Sequence, residues 1–247
     1  MNPDQPAPGV WRLGTDFINY YAVEEGGRLT LVDAGAPRFA DTLEEQLGEA
    51  GFGLSDVEAV VLTHSDSDHT GVAPLLQKAG ARILIHEGDE DTLRRPRPKT
   101  GDAAPLKLVK EMWHPRFYRM IATMTRAGAA KPTPLEGAET FADGELLDVP
   151  GSPRVIHTPG HTPGESAIHF EKRDVLFTGD TMCNLNPLTR SRGPQLMPSS
   201  FNVSNATARA SLSRLDGVEA SVVLFGHGEP WTQGVAAAVA AARERLG

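Results

Sequence analysis

Apolar residues in the first third of the chain alternate between short runs and helical spacing. The runs that predict strands are residues 10–13, 19–23, 28–32, 60–63 and 82–86. Between them, apolar side chains recur every three or four positions over residues 38–50 and 72–79, which predicts two amphipathic helices. Strands and helices in this order predict a sheet covered by helices rather than an all-β sandwich.

The pattern changes in a segment from about residue 92 to residue 136. Charged residues and prolines come first, and apolar residues at helical spacing then predict a helical insertion around residues 100–130. We expect two short helices that meet at Pro115, because proline lacks the N–H of a helix interior and disfavours helical geometry in the preceding His114. The insertion carries Trp113 and several methionines. It either caps a pocket with adaptable side chains or packs on the sheet.

Strand patterns dominate the second half of the chain. The predicted strands are residues 139–143, 145–149, 154–158, 166–170, 175–178 and 221–225, with a turn at Asp143 and Gly144 between the first two. Residues 181–204 contain several prolines and predict an irregular stretch. Helices are predicted over residues 206–215 and from about residue 233.

Length, charge and the N-terminal sequence narrow the class of protein. The 247 residues predict a single domain over residues 1–247. With 24 Lys and Arg against 32 Asp and Glu, the net charge of −8 argues against nucleic acid or an anionic membrane as a partner. The sequence shows neither a signal-peptide pattern nor an apolar run long enough to span a membrane, so we expect a cytoplasmic protein with a small-molecule substrate. The apolar insertion could also pair two copies as a homodimer.

Seven metal-capable side chains each follow an apolar strand pattern, beside glycine, proline or threonine. They are His64, Asp66, Asp68, His69, His161, Asp180 and His227. Any one of them alone would be read as a surface histidine, a turn residue or a helix cap. Together they predict a cation site at one edge of a sheet, since so many carboxylates and imidazoles need an offsetting charge. Cys183 is the only cysteine, so the ligands must be His, Asp or Glu.

The motifs THSDSDHTG, TPGHTPG, FTGD and FGHG, in this order, resemble those of the metallo-β-lactamase superfamily, and most closely those of its glyoxalase II-like and lactonase-like members. The resemblance implies an α+β fold, a four-layer αβ/βα sandwich with a dinuclear metal site on one edge. It implies that His64, Asp66 and His161 bind one metal ion, that Asp68, His69 and His227 bind a second, and that Asp180 bridges the two. It also implies that Asp33 orients ligands without touching metal.

Asp66 departs from the family pattern, which has histidine at this place in HxHxDH. Replacing a neutral imidazole with a carboxylate makes the first site harder and more negative. We expect two divalent metal ions, with zinc favoured and iron or manganese as alternatives at the Asp66 side. The alternative is that Asp66 weakens the first site, so that the protein works with one metal ion.

The predicted chemistry is metal-assisted hydrolysis of a small-molecule ester, lactone or thioester by a water that bridges the two metals. Asp68 and Asp180 are the predicted catalytic residues, because the first orients that water and the second holds both ions. Two alternatives remain at this point. One is an iron-dependent oxidoreductase, similar to flavodiiron proteins or persulfide dioxygenases, and the other is a metal-binding protein whose first site is impaired by Asp66.

Overall fold

Two β-sheets face each other across an apolar core in the computed structural model, which describes residues 4–103, 109, 111–113 and 115–246. The larger sheet contains, in spatial order, β1 (Asp4–Ala7), β2 (Val10–Gly14), β3 (Asn19–Glu25), β4 (Arg28–Val32), β5 (Val57–Leu62), β6 (Arg82–His86) and β7 (Glu139–Phe141). Strands β1 to β4 are antiparallel, and β4 to β7 run parallel. The parallel strands therefore deliver the residues that follow them to one edge of the sheet.

The second sheet is smaller and has the spatial order β13-β10-β9-β8. Its strands are β8 (Arg154–His157), β9 (Ser166–Phe170), β10 (Val175–Phe177) and β13 (Val222–Leu224). Strands β10 and β13 are parallel, and β9 is antiparallel to both of its neighbours. The carboxyl ends of β8, β10 and β13 consequently lie at the same edge. Between the two sheets, Val61 of β5 shares a buried cluster with Ile168 of β9 and Phe177 of β10.

Helices cover the outer face of each sheet. On the larger sheet, α1 (Leu43–Glu49), α2 (Ala73–Lys78) and α3 (Glu87–Arg94) bury leucines against β4, β5 and β6. On the smaller sheet, α5 (Asn205–Ser211) leads into a short 3-10 helix at Leu212–Leu215, and α6 (Gly234–Glu244) buries Val235 and Val239. The layers are helix, sheet, sheet and helix, as predicted. None of the helices in the described residues is long and apolar enough to cross a membrane.

The structure corrects the prediction for residues 139–149. Strand β7 pairs in parallel with β6 of the larger sheet, and Arg82 binds both carboxylate oxygens of Glu139 across that pair. The turn at Gly144 is present, but the N–H of Gly144 donates to the carbonyl oxygen of Val155 in β8, a strand of the smaller sheet. Beyond the turn, Leu146 forms only an isolated bridge with Arg154. The turn therefore carries the chain from one sheet to the other instead of joining two strands.

Other elements also differ from the sequence-based expectation, and the first of them is β1, which lies before the first predicted strand. Strands β11 (Cys183–Leu185) and β12 (Arg192–Gln195) form a small sheet in the stretch expected to be irregular, and α3 was not predicted. Helix α4 (Pro115–Ala127) begins at the predicted proline. Before it, residues 111–113 form a 3-10 turn, whereas residues 104–108, 110 and His114 lie outside the described residues.

Candidate metal centre

The segment after β5 forms a tight turn that is fixed against the loop after β4. Gly71 donates its N–H to Gly35 O at 2.7 Å, and a Cβ added there would lie 2.1 Å from the carbonyl carbon of Ala36. His69 donates its backbone N–H to Asp66 O at 2.9 Å. The close backbone approach at Gly71 explains why glycine follows the histidine-rich motif, and it sets the direction of the side chains before it.

The seven predicted side chains converge at the edge that both sheets share. We call His64, Asp66 and His161 the first cluster, and Asp68, His69 and His227 the second cluster. Asp180 lies between them: its Oδ2 is 3.4 Å from both His161 Nε2 and His227 Nε2, and its Oδ1 is 3.5 Å from His69 Nε2. The structure thus brings together all seven residues.

Every member of the second cluster is buried, and its candidate ligand atoms lie within 4.8 Å of one another. His227 Nε2 is 3.6 Å from Asp68 Oδ2, and His69 Nε2 is 3.9 Å from the same oxygen. These separations leave room for one ion between the atoms, because metal ions bind imidazole nitrogen and carboxylate oxygen at about 2.0–2.2 Å. The second cluster with Asp180 therefore has the donor set of a divalent metal site.

Hydrogen bonds on the far side of each ring orient the histidines of the second cluster. Asp33 accepts from His69 Nδ1 at 2.8 Å and from the N–H of Thr63 at 2.8 Å. His227 Nδ1 donates to the carbonyl oxygen of Phe17. Since both Nδ1 atoms carry the proton in this network, both Nε2 lone pairs are available to a metal ion. Asp33 thus contacts a candidate metal ligand and not the candidate metal position, which is the placement that the resemblance implies.

The first cluster has a different set of contacts. His161 Nε2 is 3.1 Å from Asp66 Oδ2, and His64 Nε2 is 3.7 Å from the same oxygen. Lys99 enters this cluster, with its Nζ 2.6 Å from Asp66 Oδ2 and 2.8 Å from His161 Nε2. Behind the cluster, the buried Glu165 places Oε2 3.3 Å from His64 Nδ1 and accepts from the N–H of Asp180 at 3.0 Å.

Sequence reasoning missed both Lys99 and Glu165. Glu165 directly follows the TPGHTPG motif, at the start of a strand that is buried along its whole length. A charged residue at that place was the available signal, because carboxylates are rarely buried without a partner. Lys99 comes from the charged, proline-rich segment after α3, which has no motif and gave no signal.

Unpartnered polar atoms show that the residues fit a metal ion. In the described residues, His64 Nε2, His69 Nε2 and Asp180 Oδ1 are buried without a hydrogen-bond partner. A buried polar atom with no partner costs free energy, so such atoms are rare unless an ion or water satisfies them. The orphaned atoms of His69 and Asp180 face each other, at the position where the second cluster would hold a metal ion.

The electrostatics of these residues favour a cation at the same place. Burial alone would lower the pKa of His69, but the carboxylates of Asp180, Asp33 and Asp68 outweigh it and raise that pKa well above its usual value. Burial raises the pKa of Glu165 to about 8. Burial also acts to raise the pKa of Asp66, but the Lys99 ammonium and the contacts with His161 and His64 together hold that pKa well below the usual range. The centre thus attracts positive charge, either as protons or as a metal ion.

The remaining described histidines and Cys183 take part in packing. The His86 and His157 rings stack at 4.0 Å, and the Nδ1 of His86 accepts from the N–H of Gly88 at the start of α3. His169 Nε2 lies 3.0 Å from Glu219 O. Cys183 is buried, and burial raises the pKa of its thiol well above the ordinary value, so the sulfur is held as the unreactive thiol.

An apolar cleft of about 370 Å³ opens above the metal centre. Its floor includes Asp66, Asp68, His161, Asp180 and His227, and its walls include Phe17, Met120, Ile121, Met124, Met197 and Phe201. Met120 of α4 also packs in a buried cluster with Phe17 and Ile18. The helical insertion therefore both caps a pocket and packs on the rest of the protein, because Met120 and Met124 of α4 contact the buried cluster and also line the cleft.

An αβ/βα sandwich with histidines and aspartates gathered at the edge that both sheets share defines a candidate metal-binding protein. The chain belongs to the metallo-β-lactamase superfamily, whose family model matches residues 13–227. It is 29% identical over 250 residues to the probable metallo-hydrolase YflN of Bacillus subtilis (strain 168), covering 92% of this chain and 87% of that protein. Over 179 residues it is 29% identical to the atrochrysone carboxyl ACP thioesterase nsrC of Aspergillus novofumigatus (strain IBT 16806), covering 71% of this chain and 41% of that protein.

A solved structure shares the fold. The metallo-β-lactamase family protein TTHA1429 from Thermus thermophilus superposes with a TM-score of 0.68 at 26% sequence identity, covering 96% of this chain and 78% of that one. The match confirms the α+β sandwich and the family that the motifs indicated. The family match and the side-chain clusters together define a metal-binding protein related to hydrolases.

Proposed function

We propose that this protein is a metal-dependent hydrolase that cleaves small-molecule esters or thioesters with an apolar acyl group. The observation that carries the proposal is a pair of buried, unpartnered ligand atoms, His69 Nε2 and Asp180 Oδ1, beside an apolar cleft whose floor includes Asp180. A cleft of this kind with a few convergent polar groups is the usual form of a small-molecule site. The name of one relative, a thioesterase, agrees with an acyl substrate.

Asp68, His69, His227 and Asp180 are the residues that would hold the catalytic metal ion. Imidazole and carboxylate donors favour zinc, with iron or manganese as alternatives. Such an ion supplies Lewis acidity and lowers the pKa of water toward ~7, which provides a nucleophile without a reactive Ser or Cys. Cys183 does not offer a competing nucleophile, because it is buried and held as its thiol.

The residues around the metal position divide the remaining work between them. Asp68 and Asp180 present carboxylate oxygens to the reacting region and can accept a proton from the attacking water. Asp33 keeps His69 in the tautomer that leaves Nε2 free, through its contact of 2.8 Å with Nδ1. The wall formed by Met120, Ile121 and Met124 binds the acyl chain and excludes water from the bond that breaks.

A panel of esters and thioesters with acyl chains from acetyl to decanoyl, together with lactones, tests the proposal. We expect the zinc-loaded protein to hydrolyse the longer acyl chains with higher kcat/KM, and His227→Ala to abolish this. His169→Ala is the matched control, because that histidine bonds Glu219 O away from the metal centre. Failure of a zinc-loaded, folded protein to hydrolyse any member of the panel would refute the hydrolase function.

The acyl site can be tested separately on α4. Ile121→Asn places an amide in the cleft wall, and we expect KM for decanoyl substrates to rise about tenfold with little change for acetyl substrates, since the apolar contact of about two methylenes is at stake. Tyr118→Asn is the control, because Tyr118 is exposed on the same helix and lies outside the cleft lining. Equal effects of Ile121→Asn on all chain lengths would contradict this acyl site.

A further inference from the structure

We propose that the ammonium group of Lys99 occupies the first metal position, so that the protein binds a single metal ion, at the second cluster with Asp180. The inference rests on the proposed metal centre but not on the substrate. The contact that carries it joins Lys99 Nζ to Asp66 Oδ2 at 2.6 Å and to His161 Nε2 at 2.8 Å. These atoms belong to two of the three residues that a metal ion in the first cluster would bond, the third being His64, whose Nε2 has no hydrogen-bond partner.

The lone pair of His161 Nε2 cannot serve both cations. Asn202 donates its amide N–H groups to Met197 O and Asn205 Oδ1, so its Oδ1 faces His161 Nδ1 at 3.3 Å. Nδ1 therefore carries the ring proton, and Nε2 has one lone pair, which accepts from Lys99. A metal ion would need the same lone pair at about 2.0–2.1 Å, and Nζ stands along that approach.

The ammonium has as many acceptors as donors. Its three N–H groups meet Asp66 Oδ2, His161 Nε2 and the carbonyl oxygen of Phe201, the last at 3.3 Å. Asp66 supplies the countercharge, which a histidine at this position would not. The replacement of the family's histidine by Asp66 and the presence of Lys99 thus have one joint explanation, an internal ion pair in place of a metal ion and its ligand.

The loop that carries Lys99 is anchored in its place. Gly101 adopts a φ of +62°, and a Cβ there would lie 2.1 Å from Val203 O. Next to it, Asp102 donates its N–H to Val203 O at 2.9 Å and accepts from the N–H of Asn205 at 3.0 Å. Prolines at positions 96 and 98 restrict the chain before the lysine. Lys99 is therefore delivered by a fixed turn and not by a free surface loop.

The test is the number of zinc ions per chain after dialysis to equilibrium at a fixed free zinc concentration, measured by elemental analysis and, in parallel, by cobalt(II) titration followed by visible absorption. We expect one ion in the natural protein. Lys99→Met removes the charge and keeps the chain length, so the number should rise to two. Lys131→Met, at an exposed lysine outside the cleft lining, is the control and should stay at one.

If Asp66 is a poor metal ligand, Lys99→Met alone could leave the first cluster empty, so a second pair of variants is needed. In the background of Asp66→His, which restores three imidazoles, adding Lys99→Met should raise the zinc number from one to two. The inference is overturned if the natural protein already binds two ions, or if removing Lys99 raises the number in neither background. One bound ion without hydrolysis would refute the proposed function alone, and two bound ions with hydrolysis would refute this inference alone.

Discussion

The two clusters of the metal centre contain matching residue types but meet different partners. In the second cluster, both rings are held from behind by Asp33 and by the Phe17 carbonyl, and His69 Nε2 is left without a partner. In the first cluster, Lys99 already engages Asp66 Oδ2 and His161 Nε2, and only His64 Nε2 is left without a hydrogen-bond partner. Ligand identity and spacing alone therefore do not define a metal site, since what faces the lone pairs decides which cation they bind.

The two clusters should differ most in how the replacement of a histidine changes metal content and kcat/KM. His227→Ala should remove the bound metal ion and reduce kcat/KM by more than about a thousandfold, roughly 4 kcal/mol of transition-state stabilisation. His161→Ala should leave the metal content near one per chain and reduce kcat/KM by a smaller factor. Elemental analysis and kinetics on both variants measure this. If both variants lose the metal equally, the two clusters act as one site and the comparison fails.

Removal of the metal ion should destabilise the fold measurably. An ion present at about a thousand times its Kd stabilises the native state by about 4 kcal/mol, which corresponds to a fall in Tm of roughly 8–16 °C on chelation for a chain of this size. Scanning calorimetry with and without a chelator measures the fall. The same chelation applied to His227→Ala should change Tm little, whereas His161→Ala should still show most of the fall.

The seven residues of the two clusters could be found from sequence because each follows a strand that has a clear apolar pattern. Strands β8, β10 and β13 were predicted within one residue at each end, and β5 within three, and a parallel arrangement sends the residues after them to one edge. The pairing of β7 with β6 could not be found, because the turn at Gly144 has the same local pattern whether the next segment returns to the same sheet or crosses to the other one.

Lys99 and Glu165 show the limit of sequence reasoning at the site. Glu165 stands next to a recognised motif, but its burial depends on the packing of β9 against both neighbouring strands. The loop that brings Lys99 to the site is fixed where Asp102 forms hydrogen bonds with Val203 and Asn205, about a hundred residues further along the chain. Contacts at such a separation leave no periodic pattern in the sequence, so only the folded structure reveals the partner of Asp66.

A smaller difference, in metal affinity, is expected between variants of Asp33, which contacts His69, and of Glu165, which contacts His64. Asp33→Asn weakens the support of His69, and we expect metal affinity to fall about 10–100-fold. Asparagine tolerates the φ of +62° at this position, so the backbone can be kept. Glu165 lies beside His64 Nδ1, and a glutamine there can still accept from the N–H of Asp180. Because His64 belongs to the first cluster, Glu165→Gln should change metal affinity by less than about threefold. Competition with a chromophoric chelator measures both constants. A larger loss in Glu165→Gln would place the metal ion beside His64.

The smallest expected effect is at the residue that departs from the family pattern. Asp66→Asn removes the countercharge of Lys99, and because both side chains are partly exposed the loss should be at most about 1 kcal/mol, or roughly 2–4 °C in Tm. Glu139→Gln, which breaks the exposed pair with Arg82, is a control of similar size. If Asp66 pairs with Lys99 and not with a metal ion, the metal content of Asp66→Asn stays at one per chain. Loss of that ion would identify Asp66 as a metal ligand and remove the difference between the clusters.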